Sequence, residues 1–150
     1  MSTYSDRPAV RRRIVEVLGD ADGLQSVQVS YARPGQATAN EAIWTGPPGG
    51  AQEQVDFGAT RPGRDDRYRI DLAIAVTGFA DEQTADERCQ ELVTAVCESL
   101  FAGDRLGADW RTVALYPGDL MGPAGGRDPQ GPAWSVAELA IEIRAPLRGA

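Results

Sequence analysis

The chain is 150 residues long, with 42% hydrophobic and 25% charged residues, a composition that suits one soluble domain with its own core. Its formal net charge is −7, its fifteen basic residues are all arginine, and histidine and lysine do not occur. That combination excludes histidine-activated nucleophiles, histidine-ligated metals and lysine-dependent phosphate or Schiff-base sites, and it argues against a protein that coats nucleic acid or anionic lipid.

In chain order, Ser5 or Asp6 can cap a first helix that tolerates Pro8 in its opening turn, with Val10, Ile14, Val17 and Leu18 at helical spacing and Gly19 as its stop. Residues 25–31 alternate as a strand, 32–40 form a loop, and 41–45 are β-prone around Ile43 and Trp44 before the breaker GPPGG at 46–50. Residues 52–57 form a weaker strand, followed by a polar loop at 59–66. The clearest strand spans 67–77, with Tyr68, Ile70, Leu72, Ile74 and Val76 on one face. Its other face runs from Arg67, Arg69 and Asp71 to Ala73 and Ala75, so that its far end is expected to meet another surface.

The clearest helix covers 81–101, with a stripe of Ala85, Cys89, Leu92, Val93, Val96 and Leu100 and acids concentrated near its start, where the helix dipole favours them. Residues 110–116 read as a strand, 117–132 as a long Gly/Pro-rich binding loop, and 134–145 as a final strand. In that last strand Trp134 and Val136 have the opposite parity to Leu139, Ile141 and Ile143, so a bulge near Ala137-Glu138 is expected to bring both sets to one face. The fold class is α+β: a mostly antiparallel sheet with two helices packed on one face, in a single domain over 1–150. Tyr68, Ile70, Leu72 and Ile74 should meet Leu92, Val93 and Val96 in the core.

No tract approaches the ~18 apolar residues of a membrane span. The opening MSTYSDRPAVRRR lacks the apolar core of a signal peptide, so synthesis in the cytosol is expected. Cys89 and Cys97 share one helix about 12 Å apart, too far for a disulfide, and read as buried thiols. Arg11-Arg12-Arg13 reads as a solvated or partner-binding flank, with Arg12 placed to reach Glu16. Neither glycine-rich segment has the lysine or the strand–helix context of a nucleotide loop. The acid pairs Asp65-Asp66, Asp81-Glu82 and Asp86-Glu87 read as caps and solvated surface. Trp44, Trp110 and Trp134 read as core or interface anchors. No catalytic, metal or cofactor-binding residue is identified, and no cofactor is expected.

Several words of the sequence, taken in order, carry a resemblance. VSYARPGQATANEAIWTG is followed by DRYRIDLAIAVTGFADEQTADERCQELVTAVCESL, then GDRLGADW and a long closing strand. This order resembles small tail-terminator proteins of long-tailed bacteriophages and prophages of actinobacteria. The matching positions are Tyr31, Pro34, Gly35, Glu41, Ile43, Trp44, Gly46, Tyr68, Arg88, Leu92, Leu100, Asp104, Leu106 and Gly107. The resemblance spans most of the chain and is one of pattern; its Gly/Pro-rich segment at 117–132 departs from it.

What the resemblance implies is a non-enzymatic virion protein at the tail–neck junction, assembled in the host cytoplasm. It would form a ring, usually of six copies, that caps the tail tube, ends its polymerisation and joins the head-side connector or stopper protein. Partners would be other copies of itself, the tube protein and the connector, with DNA only as genome passing through the lumen and no membrane. An acidic lumen would let DNA phosphate slide, and edge strands offer a route to assembly by sheet extension. Loop position and aromatic content nominate Trp44, Arg64, Arg67, Tyr116, Leu120, Met121 and Arg127 as interaction residues. The alternatives are a head-closure or neck protein of the same particle, a cytosolic ligand-binding α+β domain and, more distantly, an enzyme working through carboxylates alone.

Overall fold

The computed structural model describes residues 7–35, 39–46, 65–102 and 106–146. Alternation is longest in β3 (Asp65–Phe79), and that strand sits at the centre of a five-stranded sheet. The strand order is β1 (Gln28–Ser30), β2 (Glu41–Thr45), β3, β5 (Ala133–Pro146), β4 (Ala114–Arg127). β1 runs parallel to β2, and the other three pairings are antiparallel. The expected α+β class is therefore the observed one, with helices α1 (Arg7–Gly19) and α2 (Glu82–Leu100) sharing a core with one face of the sheet.

The core follows from the two periodicities. Tyr68, Ile70, Leu72, Ile74 and Val76 of β3 are each at most 2% exposed, and they cluster with Leu92, Val93 and Val96 of α2 and with Val10, Ile14 and Leu18 of α1. α2 starts where Asp81 Oδ1 accepts from the Thr84 amide at 2.7 Å, one of the orphan donors every helix start must satisfy. That bond holds the Asp81 carboxyl below its ordinary pKa.

Arginines fasten α1 to the sheet. Arg7 donates through Nε and a terminal nitrogen to both carboxylate oxygens of buried Asp66, at 3.0 and 2.9 Å, while lying over the Tyr68 ring. Arg11 donates to the Thr45 hydroxyl and to the carbonyls of Tyr31 and Thr45, and Arg13 donates to the Leu106 carbonyl. The expected solvated flank is thus largely a set of tethers, and Glu16 is met by Arg13 at 3.6 Å, not by Arg12. Arg88 similarly ties α2 to β2 through both oxygens of Glu41, at 2.6 and 2.9 Å.

Four expectations about the strands change. The strand read at 25–31 shortens to Gln28–Ser30. The strand read at 110–116 begins at Ala114, because Ala108–Trp110 closes into a 3-10 turn. Residues 117–127, read as loop, belong to β4, and only 128–132 connect it to β5. The bulge expected at Ala137-Glu138 is absent: β5 pairs with β3 without interruption from Trp134↔Thr77 to Pro146↔Asp65. Both phases of β5 are real. Leu139, Ile141 and Ile143 face the helices, whereas Trp134 and Val136 face the opposite side. The weak strand read at 52–57 lies outside the described residues.

Candidate interaction surface

β4 has the composition of a loop and the hydrogen-bonding position of a strand. Its sequence ALYPGDLMGPAGGR contains no β-branched residue, and most of it is exposed because it forms the sheet edge. Two bulges accommodate it: three steps along β4 from Pro117 to Leu120 match two along β5, and the same holds from Met121 to Ala124. Glycine makes this possible at two points. Gly122 has φ +88°, and at Gly125 an added Cβ would run into the Trp134 carbonyl of β5.

The bulges decide where the large side chains of β4 emerge. Tyr116 lies opposite Glu142 and Met121 opposite Glu138, both on the helix-free face, while Leu120 lies opposite Leu139 on the helix side. Leu120 and Met121 stand between the two bulges, adjacent and exposed. Among the described residues the exposed large hydrophobics are Tyr116 at 51%, Leu120 at 43%, Met121 at 68% and Tyr31 at 40%. Three are on β4, and Tyr31 directly follows β1 at the other edge.

The helix-free face is apolar at one end and charged at the other. Ala42, Trp44 and Ala73 are buried together there, with Ala75 against them, so the softening of β3 toward alanine makes room for cross-strand packing under Trp44 within the same sheet. A cleft of about 290 Å³ opens beside them, bounded by Pro34, Ala42, Trp44, Ala75, Trp134 and Val136. Trp44 Nε1 is buried and meets no acceptor among the described residues. Toward the other end Arg69 pairs with buried Asp71 at 3.2 Å, and burial together with the Asp71 charge raises the Glu138 carboxyl above its ordinary pKa.

The nominated residues are spread over this geometry. Tyr116, Leu120 and Met121 are all exposed on β4, Tyr116 and Met121 on the helix-free face and Leu120 on the helix side. Arg67 is exposed on β3, and Arg127, at the end of β4, donates to the Ala80 carbonyl at 2.6 Å. Trp44 is 6% exposed and forms the floor of the apolar patch, and Arg64 lies outside the described residues. Tyr31 is not among the nominated residues; its alternation reads as strand, and its position beyond the shortened β1 exposes it.

Among the described residues no group of three or more Cys, Asp or Glu side chains could hold a metal ion, and no helix is long and apolar enough to cross a membrane. Cys89 is buried, and desolvation pushes its thiol up to about 11, with Ser135 lowering and Asp86 raising it. Ser135 is fully buried and donates to Asp86 Oδ1 at 2.6 Å. With no histidine in the chain, this pair has no base of the serine-hydrolase kind.

No protein-family model matches the chain, and no curated protein sequence does. A solved structure does: the chain is similar to one from the virion of a native gene transfer agent particle. The two share 17% sequence identity and superpose with a TM-score of 0.55, over 97% of this chain and 99% of that one. At that identity the likeness is one of fold. It runs end to end along both chains.

Proposed function

We propose that this chain is a structural subunit of a phage-like particle, and specifically a tail terminator that closes into a ring over the end of the tail tube. The observation that carries the reading is the end-to-end likeness in fold to a virion chain. Two features support it further. The residue pattern from Tyr31 to Gly107 resembles tail terminators, and the large exposed apolar side chains gather at sheet edges, where a monomer gains nothing from them.

In this role the protein works by fit. Copies pack side by side, one rim of the ring covers the last tube layer and blocks further subunits, and the other rim meets the head-side connector. It is placed at the tail–neck junction of the particle. Tethers such as Arg7–Asp66 and Arg88–Glu41 lock the helices to the sheet and give the ring rigid building blocks. Genome passing through the lumen would meet a chain of net charge −7, which disfavours phosphate contacts.

Tail length is the test. Particles made without this protein should carry tubes of uncontrolled, excessive length, and supplying the protein should restore one length. Tubes of normal length on heads that fail to join or that leak DNA would replace the terminator with a head-closure protein of the same neck.

A further inference from the structure

The exposed apolar side chains are divided between two different edges of one sheet. Tyr116, Leu120 and Met121 mark β4, and Tyr31 marks the end of β1, with three strands between. We infer that copies of this chain join head to tail through these unlike edges, the β4 edge of one copy, with Tyr116 and Met121 on one face and Leu120 on the other, seating against Tyr31 and Arg33 of the next. The inference rests on the ring reading above and names its contact.

Three observations select a second copy arranged in this way. First, a two-fold contact uses one patch twice, whereas two different patches on opposite edges make a heterologous contact, which closes into a ring or runs on as a filament. Second, the charges are complementary. Asp119 is exposed and is the only charged residue between Tyr116 and Gly126, while the Arg11 guanidinium lies 4.0 Å over the Tyr31 ring and Arg33 is exposed beside it. Third, both sides are held in place beforehand. The Tyr31 carbonyl accepts from Arg11 at 2.8 Å and from the Thr45 hydroxyl, and the two bulges fix Leu120 and Met121 between them.

The contact runs through side chains. Sheet extension needs a free ladder of backbone donors. β4 carries Pro117, Pro123 and two bulges, and β1 is only three residues long. Neither edge offers a long ladder, so the expected route of strand addition gives way to an apolar seam bordered by Asp119 and arginine.

Sedimentation velocity on the purified full chain, alone and with tail tube protein, tests this against two variants. The β4 variant carries Leu120→Ser and Met121→Asp; the β1-edge variant carries Tyr31→Ser and Arg33→Glu. The parent should assemble into closed rings, and each variant alone should associate at least tenfold more weakly. An equimolar mixture of the two should form a heterodimer and stop there, because each pair retains one intact contact. Thermal melts check folding. If a double variant melts early, Asp119→Arg and Arg33→Glu, which alter only exposed charges, carry the same test: each alone weakens assembly and their mixture regains it. Rings formed equally well by both variants would overturn the edge assignment and leave the ring standing. A β1-edge variant that dimerises alone while the β4 variant does not would replace it with a two-fold contact. A parent that stays monomeric in every condition would overturn both the contact and the ring.

Discussion

Leu72→Ala probes the packing on which every surface of this protein depends. Leu72 is fully buried on the central strand, paired with Thr45 of β2 on one side and Leu139 of β5 on the other, and it belongs to the cluster that joins the sheet to both helices. Truncation removes apolar contacts and leaves a void that close-packed neighbours fill only in part, at a cost of about 2–5 kcal/mol. For a chain of this length each kcal/mol lowers Tm by roughly 2–4 °C. A loss of about 3 kcal/mol therefore lowers Tm by about 6–12 °C. Leu72→Asp adds an unpaired buried charge and should lose cooperative folding altogether. Leu120→Ala is the control, read at a concentration where the chain is monomeric: its side chain is 43% exposed, and the change should stay within about 0.5 kcal/mol. Circular-dichroism melts read all three. A Leu72→Ala protein melting within about 2 °C of the parent, or a Leu120→Ala protein falling as far, would refute the placement of the core.

Asp81→Ala should lower Tm at neutral pH by exposing the first amides of α2, whereas Asp81→Asn, which keeps an acceptor, should recover most of the loss. Because folding depresses the Asp81 pKa, the parent's advantage over Asp81→Ala holds above the ordinary carboxylate pKa. It should vanish as pH falls through the folded-state value, which melts across an acid series would record. Gly125→Ala should pry β4 from β5, and hydrogen exchange along 114–127 should quicken while α2 stays protected. Burial raises both cysteine thiols, Cys89 to about 11. A thiol reagent at pH 8 should label the native protein slowly, and both positions rapidly once it is unfolded; fast native labelling of Cys89 would contradict its burial.

The elements legible in the sequence were those whose side chains obey one period throughout. β3 and α2 bury the residues expected of them, since alternation and helical spacing each had a single face to satisfy. In β5 the strand is legible and only the bulge is not there: a strand with both faces partly covered shows apolar residues in both phases, which is also what a bulge produces. β4 beyond Tyr116 is not legible as a strand for a related reason. An edge strand with one exposed side needs no apolar alternation, and its glycines and prolines serve bulges and close approach to β5, not a loop. The nominated Tyr116, Leu120 and Met121 are exposed, on two faces of β4, and the loop in which they are read is a strand. Tyr31 gives no such signal, since exposure at a sheet edge depends on strand order, and local sequence does not encode that order. Nothing in the spacing of Arg11-Arg12-Arg13 announced that Arg11 and Arg13 reach Thr45 and Leu106, contacts that exist only once α1 lies on the sheet.

A cryo-electron reconstruction of the purified particle tests the central claim most directly. The account places this chain as a closed ring of identical copies on the last layer of the tail tube, with the β4 edge of each copy against Tyr31 of the next. A single copy, or copies lying away from the tube end with both sheet edges open to solvent, would contradict it.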